Sequence, residues 1–139
     1  MLSFKEWLAE SSTQKFSQAK ASKILKIHGD LMSTLMKEEY PVFHCTRPYD
    51  LKIDVQSKDF IQMLIHEFNN GNDDWFEISA KVGKTSCVFY MKIFEKGIAY
   101  KISSQGNNHG LVSILNACMK RAKAEEDYKL SFTEYYIEI

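Results

Sequence analysis

The sequence predicts an α+β fold, with helices packed on one mainly antiparallel sheet. The strongest indication is a three-stranded meander at about residues 75–103, where apolar and polar side chains alternate and the dipeptides Gly83-Lys84 and Lys96-Gly97 interrupt the alternation. A period of two is typical of strands, and glycine supplies the positive φ that tight hairpin turns prefer. Amphipathic helical segments on either side of the meander would cover the sheet.

The middle segment of the meander, TSCVFYMKIFE, is apolar on both sides. Phe89 and Met91 lie on one side, and Val88 and Tyr90 lie on the other. This pattern is typical of a strand in the interior of a sheet, with both faces covered. The two flanking segments alternate more strictly, so each predicts a strand with one buried face.

Three long helices, at about residues 13–39, 58–70 and 110–126, are predicted from apolar residues at three- and four-residue spacing. Gly29 lies inside the first and costs up to about 1 kcal/mol relative to alanine, which predicts a kink, a break or close packing there. Between the first two helices, the segments VFHCT and YDLKIDV predict one bent strand or two short ones. The closing segment YKLSFTEYYIEI predicts a single strand.

The amino-acid composition excludes some classes of protein. The chain has 139 residues, 45% of them hydrophobic, which suffices for one domain with its own core. Eighteen basic residues balance 18 acidic ones, and a net charge of zero argues against a dedicated nucleic-acid binder. Cys45, Cys87 and Cys118 lack metal-ligand spacing, so we expect reduced core thiols, a cytosolic compartment and no metal site.

Membrane attachment is not expected, because the sequence has no apolar run of about 18 residues and no secretory signal. A local basic patch is nevertheless a candidate interaction site, since the first half of the first long helix carries lysines and no acidic residue. These lysines are Lys15, Lys20, Lys23 and Lys26. A solvated helix face is the alternative interpretation.

The opening MLSFKEWLAE predicts a short amphipathic helix, in which Ser3 and Glu6 are spaced for a capping box. The same ten residues resemble the capsid-targeting leader of the internal head proteins of T-even-like tailed phages. The resemblance rests on two aromatic residues, an internal glutamate and an apolar-Ala-Glu end, namely Phe4, Glu6, Trp7, Leu8, Ala9 and Glu10. It covers residues 1–10 alone, and residues 11–139 form the single predicted α+β domain.

The resemblance implies a function. The leader would dock the chain on the prohead scaffold, and the prohead protease would cut between Glu10 and Ser11, because Leu8-Ala9-Glu10 matches its cleavage context. The mature protein would lie in the virion head, enter the host cytoplasm with the DNA, and bind and inhibit a host defence or regulatory protein. Such a binder needs no cofactor and no catalytic residue. The alternative interpretation of residues 1–10 is an ordinary helix docked on the sheet.

An enzymatic alternative rests on three residues. His44, Tyr100 and Glu134 resemble, in their order, the His-Tyr-Glu arrangement of ADP-ribosyltransferases, although the glycine that follows the histidine in that family is missing here. The resemblance implies that the histidine and the tyrosine hold NAD, and that the glutamate stabilises the sugar as positive charge develops on it. Under this interpretation the protein would be a small enzyme that uses NAD.

The loop from Ser104 to Gly110 is a further candidate site, because it precedes the last long helix, whose first backbone amides could hold a phosphate or a carboxylate. Asn107, Asn108 and His109 would add hydrogen-bond donors, but the loop lacks the lysine and the glycine spacing of a phosphate-binding loop. A plain connector is the alternative. A cellular α+β domain that binds a ligand, or forms a homodimer through its sheet, is the third functional interpretation.

Overall fold

The structure is a computed structural model that describes residues 17–38, 42–47, 58–72, 74–82, 85–103 and 109–139, with the backbone alone at 42–47, 80–82, 85–86 and 109. The described part contains three helices and six strands, which are α1 (Gln18–Lys37), β1 (Val42–Arg47), α2 (Lys58–Asn69), β2 (Phe76–Val82), β3 (Thr85–Phe94), β4 (Gly97–Ser103), α3 (His109–Arg121), β5 (Glu125–Tyr128) and β6 (Phe132–Glu138). The predicted N-terminal helix and the segment YDLKIDV lie outside the described residues.

The strands form one sheet in the order β1-β2-β3-β4-β6-β5. Every pairing between neighbouring strands is antiparallel. The strands β2, β3 and β4 are the predicted meander, with β3 in its middle. The strand β6 pairs with both β4 and β5, so the segment that follows α3 completes the sheet. These findings confirm the predicted α+β class.

The core lies between the sheet and a layer of helices. Helix α1 contacts α2 and α3, and it lies against β4, while α2 lies against β3. Alternate residues of the strands face this layer and are buried, including Ile78, Phe89 and Ile98. The ring of Phe60 in α2 meets the ring of Phe76 in β2 edge to face, with centroids 6.4 Å apart. The alternation of apolar residues in the sequence therefore marks the core side of the sheet.

Helix α1 is one continuous helix, shorter than the predicted span of 13–39 where the structure describes its ends. Ser17 caps it, and its hydroxyl accepts a hydrogen bond from the Lys20 amide at 3.2 Å. Gly29 neither breaks the helix nor packs closely, because an added Cβ would meet nothing within 4 Å. The apolar stripe ends earlier than its spacing predicts, since Met36 is 49% exposed.

Helix α2 ends as the sequence predicts, at Asn69-Asn70-Gly71. Gly71 has a φ of 89°, and its amide donates to the carbonyl of Phe68 at 2.9 Å. The amide of Asn72 donates to the carbonyl of Glu67 at 2.8 Å. These two bonds form the Schellman motif, which satisfies carbonyls in the last turn of a helix.

The predicted helix 110–126 is wrong at its C-terminal end, because α3 stops at Arg121 and residues 125–128 form strand β5. Lys123 adopts a φ of 60°, and the amide of Ala124 donates to the carbonyl of Met119 at 3.0 Å, so this helix also ends in a Schellman motif. The predicted closing strand is confirmed over Phe132–Glu138 as β6, but it begins later than predicted, because Tyr128 ends β5 and the chain turns back to form a β5–β6 hairpin. The amide of Lys129 closes this hairpin by donating to the carbonyl of Phe132 at 2.8 Å.

Gly97 has a different role from the predicted one. Its φ is not positive, and it is the first residue of β4, paired with Phe94 across a two-residue loop. An added Cβ would lie 3.0 Å from the carbonyl carbon of Ile137 and 3.2 Å from the Cα of Glu138, with the Ile137 carbonyl oxygen closer still. Glycine is therefore required here for the close approach of β4 and β6.

Candidate functional site

The candidate functional site is the side of the sheet opposite the helices, which we call the open face. All three described helices contact the other side, through Phe76, Tyr100 and Tyr135. Successive strand residues point to opposite sides, so the sequence neighbours of these buried residues lie on the open face. Its aromatic residues are Trp75, Tyr90, Phe94, Phe132 and Tyr136, and its charged residues are Glu77, Lys92, Lys101, Glu125, Asp127, Glu134 and Glu138.

Three aromatic rings surround Lys101 near the middle of the open face. Its Nζ lies 4.3 Å from the ring centroid of Trp75, 5.1 Å from that of Tyr90 and 5.3 Å from that of Phe132. The Nζ of Lys92 lies 5.7 Å from the same Trp75 centroid. These distances fall within the range of about 6 Å over which a ring attracts a cation. We call these five residues the Lys101 cluster; all of them are partly exposed, so a partner could reach them.

A second aromatic pair lies further along the open face. The rings of Phe94 and Tyr136 meet edge to face, with centroids 5.9 Å apart. The Tyr136 hydroxyl donates a hydrogen bond to Glu134 Oε1, and this bond, with burial a smaller cause, raises the pKa of Tyr136 to about 12. A groove of about 300 Å³ begins at this pair, and Lys96, Glu125 and Glu138 complete its walls.

Charge is distributed unevenly across the open face. Of its described lysine side chains, Lys92 and Lys101 stand on the middle strands β3 and β4. Three of its acidic residues, Glu125, Asp127 and Glu134, stand on the neighbouring strands β5 and β6. The open face is therefore positive in its middle and negative towards the β5 edge, and the two regions meet where Lys101 pairs with Glu134.

On the side of the sheet under the helices, His28 and Tyr100 form a buried polar pair. His28 of α1 is 2% exposed, and its Nδ1 lies 3.0 Å from the hydroxyl oxygen of Tyr100 in β4. The two rings are stacked with an interplanar angle of 4°, and the Phe60 ring lies 5.8 Å from the His28 ring. Burial raises the pKa of Tyr100 far above that of an exposed tyrosine. This pair links α1 to the sheet and is closed to a substrate, since Tyr100 is 0% exposed.

The structure does not bring Tyr100 and Glu134 together as a catalytic pair. Tyr100 pairs with Tyr135 and lies on the helix side, whereas Glu134 pairs with Lys101 and lies on the open face. The backbone of His44 lies in β1, in register with Ser79 and three strands away from β4. The NAD-binding interpretation needs Tyr100 and Glu134 around one ligand, and the sheet stands between them.

The other predicted site residues lie mostly at the margins of the described structure. Residues 1–16, which include Lys15 and the whole leader, lie outside the described part, as do Asn107 and Asn108. His109 begins α3, and its side chain is not described. The remaining lysines of the basic patch, Lys20, Lys23 and Lys26, stand on the first half of α1, away from the open face.

The two described cysteines are free and buried, as the sequence predicts for Cys87 and Cys118. Burial raises the pKa of the Cys118 thiol, so it is not an activated nucleophile. Arg121 Nη2 donates to Cys118 Sγ at 3.1 Å and also pairs with Asp30 Oδ2 at 3.0 Å. Because Asp30 belongs to α1 and Arg121 to α3, these contacts join two helices and have a structural role.

Two classes of site receive no support from the described residues. In that part of the chain, no three His, Cys, Asp or Glu side chains are grouped closely enough to hold a metal ion. Among the helices of the same part, none is both long enough and apolar enough to cross a membrane.

Comparisons with protein-family models, with curated proteins and with solved structures found no match. Interpretation of the site therefore depends on its own geometry and on the sequence of the leader.

Sequence reasoning did not identify the open face as a site. The available signal was the apolar character of β3 on both sides, with Val88 and Tyr90 opposite Phe89 and Met91. We interpreted that pattern as a strand covered on both faces, whereas the described helices cover one face only. Tyr90 and its neighbours Lys92 and Lys101 all stand on the side of the sheet away from the helices. An aromatic residue beside lysines at such strand positions indicates a binding surface.

Proposed function

We propose that this protein is a non-catalytic binding protein that recognises a protein partner through the open face. The observation that carries the proposal is the Lys101 cluster, in which Trp75, Tyr90 and Phe132 lie within 5.3 Å of one ammonium group and remain partly exposed. Tryptophan and tyrosine supply a large share of the binding energy at protein interfaces. Tyr90 and Phe132 stand on strands and Trp75 directly precedes β2, so these side chains lose little conformational entropy when a partner binds.

The charge pattern of the open face favours a protein over a nucleic acid. Glu134 lies on β6, next to the strand of Lys101, and Glu125 and Asp127 lie on β5 beyond it; these carboxylates would repel a phosphate backbone. A protein surface can instead carry both signs of charge in a complementary pattern. The net charge of zero gives no long-range attraction for nucleic acid.

The leader gives this binding activity its proposed setting. We propose that residues 1–10 direct the chain into a phage prohead, that cleavage after Glu10 releases the mature protein, and that injection with the DNA brings it to the host cytoplasm. There it binds and inhibits a host defence or regulatory protein. The support for this setting is the sequence MLSFKEWLAE, with Leu8-Ala9-Glu10 in the context of a prohead cleavage site.

The binding proposal is tested by placing a photo-crosslinking amino acid at Tyr90 on the open face, or at the exposed Lys58 on α2 as the matched control, in host cells. We expect a discrete adduct with a host protein from position 90 and none from position 58. The crosslinked host protein is then purified and titrated with the wild-type chain. Trp75→Ala should weaken this binding at least tenfold, as expected for an interface anchor, while Lys58→Ala leaves it unchanged.

Thermal unfolding of both variants shows whether a loss of binding reflects a loss of fold. If Trp75→Ala keeps its fold and binds the purified partner as tightly as the wild type, the open face is not the binding surface.

The leader is tested by co-expression with a T-even prohead protease and mass spectrometry of the product. We expect a mature chain that starts at Ser11, and no cleavage of the Glu10→Ala variant. An authentic internal head protein in the same cells is the positive control. If that control is processed while Glu10-Ser11 stays intact, the resemblance is accidental.

The enzymatic alternative has a direct test of its own. Calorimetric titration with NAD should give no heat of binding, because Tyr100 and Glu134 lie on opposite sides of the sheet. Binding that disappears in Tyr100→Phe would favour the enzyme.

A further inference from the structure

We infer that the open face also binds a second copy of this chain, packed face to face about a two-fold axis that runs parallel to the strands between β4 and β6. This inference rests on the proposed function, because both assume that the open face binds protein. It goes further by naming one partner and the register in which that partner binds.

The pairing register supplies the first argument, which is charge complementarity. One row across the sheet runs through Tyr90, Lys101, Glu134 and Asp127, on β3, β4, β6 and β5. A two-fold rotation about the proposed axis exchanges β4 with β6 and β3 with β5. Lys101 then faces Glu134 of the second copy, and Glu134 faces Lys101 of the second copy. The two-fold symmetry therefore forms both of these contacts at once.

The next row gives the same result independently. It runs through Lys92, Ala99, Tyr136 and Glu125 on the same four strands. The rotation places Lys92 opposite Glu125 of the second copy. It also places Ala99 opposite Tyr136 of the second copy, so a small side chain meets a large one. Opposite charges and opposite sizes coincide in one arrangement, which a random pattern of side chains would not provide.

The shape of the open face agrees with this packing. The small residues Gly97 and Ala99 leave a depression along β4, whereas the larger side chains of Tyr136 and Glu138 project from β6. The groove of about 300 Å³ begins at Phe94 and Tyr136 and lies along this step. Sheets that pack face to face interdigitate their side chains in this way, with strands nearly aligned.

The available area fits a weak dimer. The four strands that overlap, β3, β4, β6 and β5, span about 19 Å, and seven residues span about 23 Å, so two copies would bury on the order of 900 Å². This lies below the range of about 1,200–2,000 Å² for stable complexes. We therefore expect exchange between monomer and dimer, and competition between the second copy and a host target for the same face.

The test is a charge exchange on the pair Lys92 and Glu125. Within one chain these residues stand three strands apart, or about 14 Å, so reversing either charge affects the other only weakly across water. Sedimentation velocity over a range of protein concentrations measures self-association of the wild type, of Lys92→Glu and of Glu125→Lys. Each single variant should associate at least tenfold more weakly than the wild type, because two like-charge contacts replace two attractive ones.

An equimolar mixture of the two variants decides the register. In a heterodimer the reversed charges are complementary again, so the mixture should associate about as strongly as the wild type. The double variant Lys92→Glu/Glu125→Lys should also associate like the wild type. Lys58→Glu on α2, an exposed residue on the helix side, is the control for added negative charge and should not change association. Circular dichroism and thermal unfolding confirm that each variant is folded.

Two results would overturn the dimer. One is a wild-type chain that stays monomeric at high micromolar concentration, and the other is a mixture that associates as weakly as its components. If the monomer binds its purified target and loses this binding in Trp75→Ala, the dimer alone fails and the proposed function stands. If the monomer instead binds a labelled single-stranded oligonucleotide and loses this binding in Trp75→Ala, the proposed function fails as well.

Discussion

Removing the Tyr100 hydroxyl tests whether the buried contact with His28 stabilises the fold. The substitution Tyr100→Phe keeps the ring that stacks on His28 and packs against Phe89, whose centroid lies 6.3 Å away. It removes only the oxygen that lies 3.0 Å from His28 Nδ1. The change is therefore confined to one hydrogen bond in a site where both residues are almost fully buried.

The expected cost follows from that burial. A hydrogen bond inside a protein contributes about 0.5–1.5 kcal/mol net, and a buried polar group that loses its partner costs about 1–3 kcal/mol. Water cannot replace the hydroxyl without a cavity, and the substitution opens little space. We therefore expect Tyr100→Phe to lower the free energy of unfolding by about 2 kcal/mol.

Urea unfolding followed by circular dichroism measures this change. Tyr90→Phe is the matched control, since Tyr90 is a partly exposed tyrosine on the open face and should change stability by less than about 0.5 kcal/mol. A double variant with His28→Leu should cost less than the sum of the single changes, because both polar partners are then removed together. Equal stabilities of Tyr100→Phe and Tyr90→Phe would show that the buried contact contributes nothing.

Three further predictions concern stability. Burial raises the pKa of Tyr100, so above pH 10 the folded chain keeps a proton that the unfolded chain loses. The free energy of unfolding should therefore fall with rising pH, by up to about 1.4 kcal/mol per pH unit. Tyr100→Phe should reduce this slope, as measured by urea unfolding at alkaline pH. Gly97→Ala should cost more than about 3 kcal/mol, because the new Cβ collides with the backbone at Ile137, and a thermal midpoint near that of the wild type would contradict the close approach. Gly29→Ala and Lys123→Gly should each raise the free energy of unfolding by about 0.5–1 kcal/mol. The first adds a methyl group at a helix position where nothing lies within 4 Å, and the second removes a side chain from a residue with a positive φ. A lower free energy of unfolding in either variant, measured by urea unfolding, would refute the assigned backbone geometry.

The sequence predicted those elements whose signal is local. Alternation of apolar and polar residues marked β2 and β4, and Asn69-Asn70-Gly71 marked the end of α2, because a glycine at the left-handed position is the usual helix stop. The end of α3 was missed because the same motif is built there on Lys123, a residue that carries no such signal. The five-residue error at that end hid β5, whose run Glu-Glu-Asp-Tyr has low intrinsic strand preference and depends on pairing with β6.

The candidate site was less predictable, because it depends on which strands become neighbours. Lys101 and Phe132 are 31 positions apart in the sequence, and only the pairing of β4 with β6 brings them together. The same pairing separates Tyr100 from Glu134, although their order resembles an NAD site. Strand order is a long-range property, and local periodicity carries little information about it.

The position of β6 has a consequence for how the chain reaches its fold. This strand follows the five other described strands along the chain, yet it lies inside the sheet, and the amide of Ile139 donates to the carbonyl of Lys96 at 2.8 Å beside it. Until residues 132–138 are in place, β4 presents an unpaired edge that contains Ile98, Tyr100 and Ile102. Such an edge is a template for strands of other chains. Loss or late arrival of this segment during synthesis should therefore lead to aggregation, and a chaperone that shields β4 would protect the nascent chain.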